Sequence, residues 1–154
     1  MSYEFTLQRL IDASPEAVFD AMTDPRAQRR WWTAGRSEVR ASADLRVGGA
    51  AFVEWTADEG HLCRADQVFR EIGRPHRLVF TETVTEPGSP VYECLLTFSF
   101  EEQEGKTFLT LHHTGFPTAE ERDKHQRGTG IFLDRLERFV TGDPTFKEKK
   151  DMSP

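Results

Sequence analysis

The sequence has few cysteines and contains no long apolar run. Its two cysteines, Cys63 and Cys94, are too few for a disulfide framework and lack metal-site spacing, so we expect both thiols to be reduced and buried. No apolar run approaches the roughly 20 residues that a membrane-spanning helix needs, and the N-terminus lacks the pattern of a signal peptide. We therefore expect a soluble, cytoplasmic protein with no membrane partner.

Basic charge is also scarce. The chain has 20 Lys and Arg side chains against 26 Asp and Glu, a net charge of -6, so its electrostatic field repels nucleic acid. No basic stripe is interleaved with aromatic residues, and there is no nucleophile elbow, P-loop or dinucleotide fingerprint. We expect no nucleic-acid partner, no nucleophilic catalytic set and no cofactor.

The histidines do not form a metal-binding pattern. His112 and His113 are neighbours on a predicted strand and point to opposite faces, while His61 and Cys63 share a face but supply only half of a site. Because zinc needs three or four convergent ligands, we expect no bound metal.

The length of 154 residues fits one domain that buries about two-thirds of the surface of its unfolded chain. No second domain or internal repeat is visible. We assign residues 1–142 to this domain and predict that the charged segment 143–154 is a disordered tail.

Two helix-start signals occur close together near the N-terminus. Ser14-Pro15 and Asp24-Pro25 each place a capping side chain before a proline, which the first helical turn tolerates. They predict short helices over residues 15–22 and 25–32. Helices this short are marginal alone in water, so they must pack on a larger element.

That larger element is a predicted sheet. Apolar and polar residues alternate over residues 92–101, which is typical of a strand with one face on a core and the other in water. The paired glycines Gly48 and Gly49 suit a turn with positive φ between two strands. The predicted strands are one ending at residue 12, five over residues 37–43, 50–56, 61–72, 77–85 and 92–101, and one ending near residue 116.

One long helix follows the last strand. Thr118 is its predicted cap, and the acidic residues after it suit the positive end of the helix dipole. Gly128 and Gly130 each cost about 1 kcal/mol relative to alanine, so we expect the helix to bend or break there, or the glycines to allow close backbone contact. An apolar stripe in the second half predicts that the helix lies across the sheet: Phe132, Leu133, Leu136, Phe139 and Val140.

The order of one strand, two short helices, about six strands and a long helix resembles the α+β helix-grip fold of START-like (SRPBCC, Bet v1-like) proteins. In that fold a curved antiparallel sheet of about six to seven strands wraps the C-terminal helix. Short motifs over residues 3 to about 140 resemble, more narrowly, the family related to the C-terminal domain of the activator of Hsp90 ATPase. These are Ile-Asp-Ala-Ser-Pro-Glu-Ala-Val-Phe at 11–19, Thr-Asp-Pro at 23–25, Trp-Trp at 31–32, Leu-Arg-Val-Gly-Gly at 45–49, Arg-Leu-Val-Phe-Thr at 77–81, His-Thr-Gly-Phe at 113–116 and Leu-Asp-Arg-Leu at 133–136.

The resemblance implies a cavity between sheet and long helix that often holds an apolar ligand, but no common catalytic set. The chain departs from the family pattern twice. Thr129 stands where the family usually has a tryptophan, which leaves space and a hydroxyl on the cavity side. Glu82 stands where an aromatic residue is usual.

Glu82 shares strand parity with Leu78 and Phe80, so an inward-facing sheet surface would carry its carboxylate into the cavity. Desolvation would then raise its pKa and suit it to act as a general base or polar anchor. The alternative is that Glu82 lies at the sheet rim or pairs with an arginine.

The candidate ligand contacts combine aromatic, apolar and polar side chains. Trp31 and Trp32 cannot both face one way, so we expect one in the core and one near the cavity mouth. His113 has inward parity and is either a polar contact in the cavity or a structural histidine. The predicted ligand-binding residues are Trp31, Trp32, Trp55, Phe80, Glu82, Phe98, Leu111, His113, Thr129, Phe132, Leu133 and Leu136.

The leading interpretation is a protein that binds a small hydrophobic or amphipathic ligand. One alternative is a module that regulates an Hsp90-type chaperone ATPase, which would make a chaperone its partner. The resembled cochaperone, however, has a further N-terminal domain that supplies much of its chaperone contact, and this chain begins with the first strand of the fold. The other alternative is a cavity enzyme of cyclase or isomerase type that uses Glu82 or His113.

Overall fold

The computed structural model describes residues 2–57, 60–144 and 146. Within them a curved antiparallel sheet of seven strands carries a long helix and two short helices, which confirms the predicted α+β helix-grip architecture. The elements in chain order are β1 (Tyr3–Ile11), α1 (Pro15–Thr23), α2 (Pro25–Trp31), β2 (Val39–Ala43), β3 (Ala50–Thr56), β4 (Leu62–Gly73), β5 (Arg77–Thr85), β6 (Glu93–Gln103), β7 (Lys106–Phe116) and α3 (Ala119–Val140).

The strand order is β1-β7-β6-β5-β4-β3-β2, and every neighbouring pair is antiparallel. The predicted alternation is confirmed in β6, where Cys94, Leu96, Phe98 and Phe100 are all buried. Some strand ends differ from prediction. Strand β2 begins at Val39 and not at residue 37, and β6 continues to Gln103, which shortens the turn before β7.

Both short helices begin at the predicted residues. The Ser14 hydroxyl accepts a hydrogen bond from the Ala17 backbone N–H at 3.2 Å, and the Asp24 carboxylate accepts one from the Arg26 N–H at 2.9 Å. These contacts satisfy backbone donors that the first helical turn leaves unpaired. The caps therefore fix where α1 and α2 begin.

The turn between β2 and β3 explains the paired glycines. Gly48 has a φ of 83°, a conformation that side chains disfavour. A Cβ at Gly49 would lie 2.0 Å from the backbone oxygen of Asp44. The turn is fastened to β4 by backbone hydrogen bonds between Phe69 and the two glycines at 2.8 and 3.0 Å. Gly48 is therefore required for its positive φ, and Gly49 because a side chain there would clash with the backbone.

Helix α3 is continuous from Ala119 to Val140, so the expected break at its glycines is wrong. The expected close backbone contact is absent too, because a Cβ at Gly128 or Gly130 would meet no atom within 4 Å. The Thr118 cap is confirmed by a 3.1 Å hydrogen bond from the Glu121 N–H. Open space, and not tight packing, surrounds the two glycines.

The predicted tail lies largely outside the described residues, which omit 145 and 147–154. Phe146 is described, and its ring lies 6.4 Å from that of Phe139. None of the helices in the described part of the chain is both long and apolar enough to cross a bilayer.

Candidate functional site

A cavity of about 440 Å³ lies between the inner face of the sheet and α3. Helix α3 makes its main contacts with β1, β7, α1 and α2. The cavity lies between α3 and the strands that it does not contact closely, mainly β3 to β6. Its residues include Met22, Thr23, Gln28, Trp32, Ala43, Ala51, Trp55, Ala65, Gln67, Phe69, Leu78, Phe80, Glu82, Val84, Glu86, Leu96, Phe98, Leu111, His113, Lys124, His125, Gly128, Thr129, Ile131, Phe132 and Arg135.

The middle of the cavity is apolar. Phe80 lies between two other rings, 6.3 Å from Phe69 edge-on and 5.9 Å from Phe98 in a stacked arrangement. Because these rings come from three adjacent strands, they form a continuous wall that faces α3. Such a wall suits a hydrophobic body.

An aromatic cluster of Trp32, Trp55 and Phe132 lines part of the cavity. The ring centroid of Trp32 lies 5.6 Å from Trp55 and 4.6 Å from Phe132. Arg135 donates a hydrogen bond to the Trp32 backbone oxygen at 3.0 Å, which ties α3 to the end of α2. We call the cluster of Trp32, Trp55 and Phe132 the aromatic end.

Four other lining residues carry polar or titratable groups. They also line a small adjoining recess that reaches Tyr92 and Cys94. The four residues are Glu82, Glu86, His113 and His125. We call these four residues the polar end. The cavity is therefore lined by both apolar and polar side chains.

Glu82 projects into the cavity and accepts a 2.8 Å hydrogen bond from Nε2 of Gln67. The side chain keeps some accessible surface and lines the cavity. Burial raises the pKa of the Glu82 carboxyl, and the hydrogen bond from Gln67 offsets only part of that effect. The structure places Glu82 neither at the sheet rim nor against an arginine.

His113 is 4% exposed and packs between aromatic rings. Its ring centroid lies 5.1 Å from Phe5 and 4.6 Å from Phe116. Burial lowers the pKa of His113 to about 3, helped by its proximity to His125 and His112, so the imidazole is neutral at pH 7. Among the described residues, its Nδ1 is buried without a hydrogen-bond partner.

A second polar contact lies beside His125 in the cavity lining. Lys124 lies 2.8 Å from the Glu86 carboxylate and donates a 2.7 Å hydrogen bond to Ser89. Burial acts to raise the pKa of Glu86, but the hydrogen bonds from Lys124 and Ser89 outweigh it and hold the pKa below its usual range. Burial, with the nearby Lys124, lowers the pKa of His125.

The cavity opens to solvent beside the middle of α3. Ile131 lines it although the side chain is 54% exposed, and the exposed Gly128 lines it one turn earlier. Because Gly128 has no side chain, the opening is wider than another residue would leave it. An apolar residue at the rim suits the entry of an apolar ligand.

Nine of the twelve predicted ligand-binding residues line the cavity. They are Trp32, Trp55, Phe80, Glu82, Phe98, Leu111, His113, Thr129 and Phe132.

Trp31, Leu133 and Leu136 do not line it, and their prediction as ligand contacts is corrected. All three are fully buried in the core cluster with Val18 and Phe19. The Trp31 indole donates a 2.9 Å hydrogen bond to the Ala21 backbone oxygen, so it joins α2 to α1. The leucines occupy the face of α3 that packs on its neighbouring elements and not the face that borders the cavity.

Sequence reasoning missed Gln67, Glu86, Lys124 and His125. A signal existed for His125, since it lies seven residues before Phe132 on the same helical face. Gln67 is directly opposite Glu82 in the register of β4 and β5, which the sequence does not specify.

Within the described part of the chain, no three His, Cys, Asp or Glu side chains converge as a metal ion would require. Both cysteines are free and buried, as expected. Burial raises the pKa of Cys94 to about 12, which keeps this thiol protonated and unreactive.

Comparisons with known proteins are consistent with this architecture. A family model described as activator of Hsp90 ATPase homolog 1-like protein matches residues 12–141. No curated protein matches the chain.

Several solved structures are similar. The Mll3558 protein from Rhizobium loti is 27% identical, with a TM-score of 0.78 over 91% of this chain and 98% of that one. Protein CV1439 from Chromobacterium violaceum is 24% identical, with a TM-score of 0.76 over 96% of this chain and 98% of that one. Protein Ms6760 from Mycobacterium smegmatis is 17% identical, with a TM-score of 0.74 over 90% and 88%. The last two likenesses concern the fold alone.

Proposed function

The chain belongs to the family of activator of Hsp90 ATPase homologue 1-like proteins, and on that basis we propose that it binds a small apolar or amphipathic molecule between its sheet and α3. The observation that carries this proposal is the cavity of about 440 Å³ with its wall of phenylalanines. A space of this size and apolar lining is typical of small-molecule sites.

Thr129 offers the sharpest test of this proposal. It lines the cavity on α3, so Thr129→Trp would place an indole in the space that a ligand needs. Arg127→Trp is the matched control, because Arg127 is exposed on the same helix and does not border the cavity. N-phenyl-1-naphthylamine, an uncharged apolar fluorophore, is a suitable probe for titrating both variants and the unaltered chain.

We expect saturable, one-to-one binding to the unaltered chain and to Arg127→Trp, and at least about a tenfold weaker affinity for Thr129→Trp. Circular dichroism and urea unfolding establish that each variant is folded. Equal affinity of the folded Thr129→Trp variant, or no binding by the unaltered chain, would contradict the proposal.

A second candidate function rests on the family's description, which names an activator of a chaperone ATPase. It is separable from ligand binding. Adding the purified chain to an Hsp90-type chaperone and following ATP turnover tests it directly. Stimulation that survives Thr129→Trp would support a regulatory surface independent of the cavity, and unchanged turnover would remove this candidate.

A further inference from the structure

The polar end of the cavity contains two side chains, Glu82 and His113, whose hydrogen-bonding capacity no other described side chain satisfies fully. Glu82 receives one hydrogen bond, from Gln67 to Oε2, and forms no ion pair with any described residue. His113 shares the cavity and the recess with it. Their strands are joined through β6, where Cys94 pairs with Glu82 and Leu96 pairs with His113.

The surroundings of His113 determine which ring nitrogen carries the proton. Neutral imidazole has one N–H and one lone pair. Nδ1 is buried without a partner beside the rings of Phe5 and Phe116, and an N–H buried there would lose its hydrogen bond entirely. A lone pair suits this position better, because it can face the positive edges of the aromatic rings. The proton therefore belongs on Nε2, the nitrogen that a ligand in the cavity can reach.

The cations of the cavity are already engaged. Lys124 pairs with Glu86 at 2.8 Å, and Arg135 binds the Trp32 backbone oxygen at the aromatic end. Arg135 is also ten residues beyond His125, which places it about 15 Å away along α3. An anionic group at the polar end would thus meet two carboxylates and no available cation, and burying it would be costly.

We infer that the polar end selects an uncharged ligand whose polar group both accepts a hydrogen bond from His113 Nε2–H and donates one to Glu82. Primary amides, alcohols and phenols attached to an apolar body have this chemistry, whereas fatty-acid anions do not. The inference rests on the proposed ligand-binding function and adds the chemical class of the ligand.

Displacement of bound N-phenyl-1-naphthylamine by two molecules of equal chain length tests the inference. Decanamide carries both an acceptor and a donor, whereas decanoate keeps an acceptor but has a negative charge in place of the donor. At pH 7 we expect decanamide to compete at least about tenfold more strongly than decanoate, because the anion loses a hydrogen bond and leaves buried charges unpaired. Equal competition, or stronger competition by decanoate, would overturn the inference.

Two substitutions test whether Glu82 is responsible for the preference for decanamide over decanoate. Glu82→Gln removes the charge and nearly preserves the shape, so it should reduce the preference for decanamide over decanoate by at least about fivefold. Glu93→Gln makes the same chemical change on an exposed residue of β6, and it should leave the preference unaltered. An unchanged preference in Glu82→Gln would contradict the role given to Glu82, and the comparison on the unaltered chain stands even if a variant misfolds.

The outcomes also separate the two levels of the proposal. If the fluorophore binds and Thr129→Trp abolishes binding, but the amide and the acid compete equally, ligand binding stands and the inferred ligand class is wrong. If neither the fluorophore nor either decyl probe binds, the proposed function fails and the ligand class fails with it.

Discussion

Gln67 and Glu82 are directly opposite each other on β4 and β5, and Nε2 of Gln67 donates a 2.8 Å hydrogen bond to the Glu82 carboxylate inside the cavity. Beside Phe80, the otherwise apolar lining of the cavity is therefore interrupted by this polar pair. Because an amide is a weaker partner for a carboxylate than a cation would be, the hydrogen bond does not cancel the effect of burial on the Glu82 pKa.

The raised Glu82 pKa predicts a pH-dependent stability difference. The folded state binds a proton more tightly than the unfolded state, so the charged carboxyl lowers stability as pH rises above the ordinary value of 4.5. Glu82→Gln should therefore be more stable than the unaltered chain at pH 7, and this advantage should vanish near about pH 3.5. Urea unfolding at both pH values checks it.

Other titratable groups lie near Glu82, since the adjoining recess is also lined by Glu86, Cys94 and His113. The matched control therefore removes a carboxylate from the exposed surface. Glu93→Gln should show no comparable pH-dependent gain. If Glu82→Gln were less stable than the unaltered chain at pH 7, the carboxylate would have a favourable partner that the structure does not contain.

The two adjacent tryptophans should respond differently to substitution. Trp31→Phe removes a buried hydrogen bond to Ala21 and leaves a void in the core, so it should lower the free energy of unfolding by about 2 kcal/mol or more. Trp32→Phe alters a residue that borders open space and should cost less than about 1 kcal/mol. Chemical unfolding of both variants measures the difference, and a larger cost for Trp32→Phe would reverse the assignment of core and cavity residues.

The indole N–H signals of the three tryptophans should report where a ligand binds. Trp32 and Trp55 border the cavity, whereas Trp31 is held in the core by its hydrogen bond to Ala21. Adding N-phenyl-1-naphthylamine to ¹⁵N-labelled protein should shift the first two signals much more than the third. Phenylalanine variants assign the signals, and a dominant shift of the Trp31 signal would be inconsistent with binding in this cavity.

The open space around the helical glycine predicts a stabilising substitution. Gly128 has a helical conformation and a Cβ there would meet nothing within 4 Å. Gly128→Ala should raise the free energy of unfolding by about 1 kcal/mol. Gly48→Ala also enters open space, but at a φ of +83°, so it should be destabilising. Thermal unfolding distinguishes the two, and a loss of stability in Gly128→Ala would show that the glycine is needed for contact.

Local signals made the fold predictable from sequence. Ser14-Pro15 and Asp24-Pro25 fix two helix starts, and the alternation along β6 assigns its inner face. The same parity predicts an inward direction for Phe80 and Phe98, and both line the cavity.

Partners that are distant in sequence were less predictable. The contact of Lys124 with Ser89 and Glu86 depends on how a loop meets α3 across 35 residues, and no periodic pattern encodes it. The apolar stripe of α3 also could not show that Leu133 and Leu136 pack in the core while Phe132 borders the cavity, because that division depends on where α1 and α2 approach the helix.

Native mass spectrometry of the gently purified chain, alone and after incubation with N-phenyl-1-naphthylamine and decanamide, tests ligand binding most directly. We predict one-to-one complexes with the unaltered chain and with Arg127→Trp, and their loss in Thr129→Trp, because that indole occupies the space beside Phe132 and Gly128. Unliganded masses throughout, with every variant folded, would contradict the proposal that this cavity is a binding site.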